Sequence, residues 1–231
     1  MSSVSNKEFL SMINSKLGEG SIYTLDGENT VKISPISSGI PSLDYALGIG
    51  GWPLGRLVEI YGPESSGKTT ITLKTISTFQ ELSRKKDHFL YGKKAVFLDM
   101  EHALDPIHAQ SLGVDISEET GVIISQPESG EKGYDMIMSL INSGHVGLIV
   151  VDSLPFMIPQ KVLDASAEDN HVALQARLNS INIPKVAKAA EKNDCTVIFI
   201  NQIRINVGQM FGNPETTPGG KTLRFSASVR A

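Results

Sequence analysis

Residues 56–69, "RLVEIYGPESSGKT", join an apolar run to a tract of small residues that ends in Lys68 and Thr69. "LVEIY" reads as a buried strand, because apolar and aromatic residues fill it almost without a break. Behind it, Gly62, Pro63, Glu64, Ser65, Ser66, Gly67, Lys68 and Thr69 match G-x-x-x-x-G-K-[ST], followed by Thr70. Small side chains leave backbone N–H groups bare, and a helix from about Gly67 adds the positive end of its dipole. The result is a cradle for phosphates. Lys68 is placed to reach the β- and γ-phosphates, and Thr69 to set its hydroxyl on Mg²⁺. The plain alternative is a glycine turn with an incidental lysine. All the fixed motif positions, with a strand before and a helix after, argue against it.

Outward from this motif the chain becomes regular. Strand "AVFLD" leads to a helix near 104–112, and "GVIIS" to the helical "EKGYDMIMSLINSG". "GLIVVD" precedes the long helical pattern "HVALQARLNSINIPKVAKAAEKN", in which Pro184 predicts a kink or split. "CTVIFIN" runs into a Gly/Pro/Asn-rich loop at 203–220, and "TLRFSASVR" reads as a last strand. Apolar strands alternating with helices predict an α/β fold with a mostly parallel twisted sheet covered on both faces. In such sheets ligands bind where loops leave the carboxyl ends of strands.

Other chemistry-bearing residues stand at those ends. Asp152 closes "GLIVVD", where a carboxylate needs a cation or donors. Mg²⁺ suits it, and a helix cap is the bland alternative. "DMEHALDP" offers Asp99 and Glu101 as equal candidates for orienting an attacking water, with Asp105 beyond. Asn201 and Gln202 end "VIFINQ", as amides able to sense a phosphate oxygen or simply to form a turn. The basic stretch "SRKKDHFLYGKK" reads as a solvated loop between a helix and the next strand. Residues 18–56 read as turns and short strands around one helix, "PSLDYALG". Residues 6–17 space Phe9, Leu10, Ile13 and Leu17 as a short amphipathic helix. It is too short to stand alone and must pack on its own domain or on a neighbouring subunit.

Composition sets the bounds. The chain has 231 residues, 40% hydrophobic and 20% charged, enough for one sizeable core. A net charge of −4 lends no overall support to nucleic-acid or anionic-membrane binding. Cys195 is the single cysteine, so no internal disulfide forms, and its apolar setting marks a core residue. A reducing, cytoplasmic setting is expected. The N-terminus lacks a signal peptide's apolar stretch, and no run approaches the roughly 18 apolar residues of a membrane span.

Together "SSGIPSLDYALGIGGWPLGRLVEIYGPESSGKTT", "DMEHALDP", "LIVVDS", "FINQIR" and "MFGNPETTPGG" resemble the bacterial RecA recombinase family, phage-type members included. The resemblance runs in order from about residue 17 to the C-terminus. It implies a RecA-like P-loop ATPase core over 36–231, preceded by an N-terminal helix and linker over 1–35 that contacts a neighbouring subunit. It implies a DNA-dependent ATPase that uses ATP and Mg²⁺. Such a protein forms a homo-oligomeric helical filament on single-stranded DNA, pairs it with homologous duplex DNA and exchanges strands in recombination and repair. No membrane is involved.

Residue by residue, the resemblance makes Glu101 the catalytic glutamate beside Lys68, Asp152 the Walker B aspartate and Gln202 the γ-phosphate sensor. It places Asp105 at the adenine, where His108 replaces a tyrosine and offers less stacking area. Residues 203–220 match the second DNA-binding loop and 157–170 the first, with Phe225 a subunit contact. The loop's own formal charge is zero, from Arg204 and Glu215. Contacts to nucleic acid then fall to backbone at Gly208, Gly212, Asn213, Gly219 and Gly220, to Met210 and Phe211 against bases, and to Arg204 and Arg177. Lys185, Lys221 and Arg224 add charge nearby. Pro184 and Asn206 stand where basic residues are common in the family.

The family core also continues through further strands and a small C-terminal domain that do not follow here. Either a truncated product or a fragment of a longer chain is expected, and trans-activation of hydrolysis is lost if the chain is the complete product. A nucleotide-binding fragment that caps filaments of an intact recombinase is the alternative function, and a RecA-fold ATPase with no DNA role a weaker third.

Overall fold

The structure is a computed structural model, and it describes residues 4–24, 33–166, 172–205 and 215–231. Met1–Ile33 form one compact unit and Ser34–Ala231 a second. The first unit holds α1 (Asn6–Leu17). Ser5 caps it, its Oγ accepting from the Glu8 N–H at 3.3 Å while Glu8 Oε2 accepts from the Ser5 N–H at 3.1 Å. That reciprocal box satisfies two donors which a helix start leaves orphaned. No residue of α1 is buried.

The second unit runs β1 (Pro35–Ile36), α2 (Pro41–Ala46), β2 (Trp52–Pro53), β3 (Leu57–Gly62), α3 (Lys68–Ser83), β4 (Lys94–Asp99), α4 (Pro106–Ser111) and β5 (Ile123–Ser125). It continues with α5 (Gly130–Asn142), β6 (Val146–Asp152), a 3₁₀ turn at Leu154–Phe156 and α6 (Gln160–Leu163). Then come α7 (Val172–Lys192), β7 (Thr196–Gln202), β8 (Arg204–Ile205), β9 (Glu215–Thr216), α8 (Thr222–Ser226) and β10 (Val229–Arg230). Six strands form one sheet in the order β10-β3-β7-β6-β4-β5, and every neighbouring pair is parallel. Two short antiparallel ladders, β1–β2 and β8–β9, stand apart from it.

Strand alternation sorts the core into two layers. Leu57, Val197, Phe199, Ile149 and Val151 face Ile137 and Ile141 of α5 and Ile183 and Val186 of α7. Val58, Ile60, Ile198, Val150 and Phe97 face Leu73, Ile76 and Phe79 of α3. Trp52 is fully buried in the second layer, its indole N–H donating to Thr75 Oγ1 at 3.1 Å. Cys195 is buried and free, as a core residue. Burial pushes its thiol up to about 12, so it carries no thiolate chemistry.

The expected elements recur with three corrections. "TLRFSASVR" is not one strand: Thr222–Ser226 are helical, and only Val229–Arg230 pair with β3. Leu223 drives this, since it is buried where a helical turn can seat it while Phe225 stays exposed. Pro184 does not split α7, which runs unbroken through it. Ile183 and Val186 on either side are fully buried, and that packing outweighs the hydrogen bond a proline forfeits. The 83–94 segment is not wholly solvated, because Leu90 is buried in the α3 layer.

Ser77, on α3, is buried in the interior, and its hydroxyl has no hydrogen-bond partner among the described residues. Ser77→Ala removes an unsatisfied polar atom and adds helix propensity. It should raise unfolding stability by about 1 kcal/mol in a denaturant titration. A loss of stability would show that the hydroxyl has a partner.

Candidate functional site

Parallel pairing carries the carboxyl ends of β3, β4, β6 and β7 to one rim. Gly62 pairs with Gln202, and Asp99 with Asp152. Between β3 and α3 the glycine tract turns through Ser65 at φ 55° and Gly67 at φ 87°. A Cβ on Gly67 would meet nothing within 4 Å, so glycine is required there by the left-handed backbone and not by crowding. Pro63, Glu64, Ser65 and Ser66 are exposed, with Gly67 at the N-cap of α3. The bare loop and the helix start open together to solvent, as a phosphate cradle requires.

Lys68 folds back over this loop. Its Nζ donates to Pro63 O at 2.6 Å and Gly62 O at 3.2 Å, and reaches Ser66 Oγ at 3.5 Å. An ammonium held on neutral carbonyls is ready to exchange them for phosphate oxygens. One residue on, Thr69 Oγ1 donates to Asp152 Oδ2 at 2.7 Å, joining α3 to the end of β6. These are hard oxygen donors, the kind Mg²⁺ selects. Among the described residues no group of three or more His, Cys, Asp or Glu side chains has metal-binding geometry. Thr69 and Asp152 are thus the oxygen donors that a cation carried by a nucleotide would meet here, and they fit a magnesium–nucleotide.

Asp152 carries the electrostatic signature. Burial, with the charges of Glu101 and Asp99 beside it, pushes its carboxyl up to about 6, against the Thr69 hydrogen bond and Lys68, which pull it down. Asp99 and Glu101, equal candidates by sequence, differ in their engagements. Asp99 is buried and accepts from the Ala103 N–H at 3.1 Å, the Leu104 N–H at 3.2 Å and Gln126 Nε2 at 3.0 Å. That is a structural role: it turns the chain after β4. Glu101 is half-buried, and among the described residues its side chain accepts from Ser153 Oγ alone, at 2.5 Å. Ser153, itself buried, holds the Glu101 carboxylate, and spacing alone did not single it out. The Asp152 carbonyl accepts from the Met100 N–H at 2.7 Å, so the ends of β4 and β6 are tied together.

Asp105 caps α4, accepting from the Ile107 N–H at 2.8 Å. This fixes the exposed His108, whose Nε2 lies 3.4 Å from Thr70 Oγ1 at the start of α3. Asn201 is buried at the end of β7. Its amide donates to Glu59 Oε1 at 2.8 Å and Pro218 O at 3.4 Å, and its Oδ1 accepts from the Gln202 N–H at 2.9 Å. Glu59 is fully buried and paired with Arg230 Nε at 2.5 Å. Sequence reading missed this network, because Glu59 sits inside an apolar run.

The residues assigned to DNA divide. Gly208, Met210, Phe211, Gly212 and Asn213 lie outside the described residues, as does Asn206. Arg204 is exposed on β8 and Arg177 exposed on α7. Gly219 has φ 87°, and its carbonyl accepts from Asn179 Nδ2 at 2.8 Å; a Cβ there would stand 2.7 Å from that nitrogen. Gly220, with φ 89°, stands beside it. The end of the 203–220 segment is thereby anchored to both α7 and β7.

Asp152→Asn tests the rim. Because the folded carboxyl is raised from 3.8 to about 6, ionising it opposes folding. That penalty is absent below pH about 4, grows up to about 6 and is constant above. The variant should gain about 1–3 kcal/mol at pH 7.5 and nothing at pH 4. It should also lose the thermal shift given by Mg²⁺ with ATP. Equal stability at both pH values would contradict the assignment.

Comparison with known proteins adds to this geometry. The family model for the RecA N-terminal domain matches residues 5–231. Protein RecA of Bacillus thuringiensis is 47% identical over 221 residues, which is 96% of this chain and 61% of that protein. Protein RecA of Bacillus mycoides is 48% identical over the same length, and that of Bacillus velezensis 48% with 60% of its length covered. The chain thus spans about three-fifths of the length of these curated relatives. No helix among the described residues is long and apolar enough to cross a membrane. With its parallel sheet, its phosphate-loop geometry and a family match from residue 5 to 231, the chain belongs to the RecA family.

Proposed function

We propose that this chain is the ATPase core of a DNA recombinase. It coats single-stranded DNA as a helical filament of many copies, pairs it with homologous duplex DNA and exchanges strands in recombination and repair. One observation carries the reading: Gln202 is paired with Gly62 of the phosphate loop and stands directly before the 203–220 segment. A single residue, one that carries an amide, thus stands between the nucleotide cradle and the segment assigned to DNA.

Magnesium-bound ATP supplies a transferable γ-phosphoryl group with its charge partly neutralised. Toward it, the backbone of 62–69 donates N–H groups and Lys68 exchanges its carbonyl partners for the β- and γ-phosphates. Thr69 and Asp152 hold the cation side. Glu101, steadied by Ser153, orients the attacking water and takes its proton. Asp105 and His108 border the base. Gln202 donates its amide to the terminal phosphate, and hydrolysis removes that acceptor. The change reaches the loop through Asn201, which grips Pro218 from the end of β7. Glycine backbone, Met210, Phe211, Arg204 and Arg177 then hold or release the strand.

The test is binding of labelled oligo(dT) with Mg²⁺ and either a non-hydrolysable ATP analogue or ADP. The analogue should tighten binding at least about tenfold, on the order of the 1–3 kcal/mol of an allosteric coupling. Gln202→Ala should bring the two states level with nucleotide affinity retained. Equal DNA affinity in both nucleotide states of the unaltered chain would remove this reading. Shortening of a full-length relative's filaments, with no filaments of the chain's own, would favour the capping alternative.

A further inference from the structure

The basic stretch between α3 and β4 forms a built lobe. The Gly92 N–H donates to Ser83 O at 2.9 Å and closes its neck. Inside, His88 N–H to Lys85 O at 3.1 Å, Tyr91 N–H to His88 O at 2.9 Å and Lys93 N–H to Leu90 O at 2.9 Å fold the chain back on itself. Leu90 is pressed into the core, 1% exposed, and its N–H donates to His88 Nδ1 at 3.2 Å. Anchoring Leu90 inward turns its two neighbours outward. Phe89 is 49% exposed and Tyr91 52%. His88 stacks on Phe89 with ring centroids 4.3 Å apart.

Charge surrounds these rings. Residues 84–94 carry Arg84, Lys85, Lys86, Lys93 and Lys94 against one carboxylate, Asp87, in a chain whose net charge is −4. Arg84 is paired with Asp115, and Lys93 donates to Gly144 O at 2.7 Å. Lys85, Lys86 and Lys94 are exposed and have no ion-pair partner among the described residues. The lobe's fold is thus completed by Leu90 and backbone bonds, with two rings and three ammonium groups left to solvent. It feeds the start of β4, the opposite rim of the parallel sheet from the phosphate loop after β3. It is therefore separate from the nucleotide site and from the end of β7.

We propose that this lobe is a second contact for single-stranded polynucleotide. Lys85, Lys86 and Lys94 take backbone phosphates, and Phe89 and Tyr91 stack on unpaired bases. Cations beside exposed aromatic faces match the two chemistries of a single strand, whose bases are free to leave their own stack. A duplex would use the lysines and leave the rings idle. An acidic peptide would do the same. Because the lobe lies away from the phosphate loop, this binding is independent of nucleotide.

The experiment measures oligo(dT) binding to the full chain without nucleotide, across a salt series. Phe89→Ala with Tyr91→Ala should weaken binding at least about fivefold, the loss expected for one or more stacked bases. Lys85→Ala, Lys86→Ala and Lys94→Ala together should flatten the log–log salt slope by about 2, at roughly 0.7 per phosphate on a single strand. Both variants should keep wild-type thermal unfolding and nucleotide affinity. Bromodeoxyuridine oligonucleotides should crosslink to peptides spanning 84–94, whereas the proposed recombinase site reports separately through nucleotide-dependent crosslinks in 203–224. Unchanged affinity and slope in both variants would overturn the proposal. So would crosslinks confined to 203–224. Phosphatidylglycerol vesicle binding that both variants abolish, with oligo(dT) binding intact, would overturn it too.

Discussion

The register of the parallel ladder is the constraint on which the site depends. Gly62 stands opposite Gln202, and Asp99 opposite Asp152, because the strands behind them are locked residue by residue, Val58 to Ile198 and Phe97 to Val150. A slip of one residue would turn every buried side chain to the opposite face. Both faces are covered, by α3 on one side and by α5 and α7 on the other, so a slip would break two apolar layers at once. The same packing that fixes the core therefore fixes where the phosphate loop, the acidic residues and the terminal amide of β7 meet.

The groups gathered at that rim are electrostatically unbalanced. Asp152 is raised by burial and by two neighbouring carboxylates, and Lys68 rests on neutral carbonyls. A cation among the carboxylates and an anion on the lysine relieve both at once. On the neighbouring strands, Glu59, Arg230 and Asn201 form a buried polar link in which each member has partners. A buried ion pair of this kind adds little net stability, but breaking it strands a charge. It fixes the end of β7, and through Pro218 the segment that follows.

The strands and the phosphate loop were legible because each rests on a local signal: apolar runs of strand length, and a glycine–lysine–threonine spacing with its flanks. The site was legible only in part. Asp99 and Glu101 are two residues apart, and no spacing argument separates them. What separates them is that, among the described residues, three donors converge on Asp99 and one on Glu101. Ser153 gave no signal because its partner is 52 residues away in the chain. "TLRFSASVR" misled because five residues are too few for a helical period to declare itself, and Leu223 is its sole buried residue. Pro184, itself exposed, misled because a propensity argument ignores the burial of its neighbours Ile183 and Val186 in an unbroken helix.

The central claim is that a terminal phosphate held at this rim is reported through the end of β7 to the segment beyond it. Amide hydrogen exchange across residues 215–224 tests it most directly. Mg²⁺ with a non-hydrolysable triphosphate should slow exchange there relative to Mg²⁺ with ADP. Identical exchange with the two nucleotides, both shown to be bound, would contradict the account.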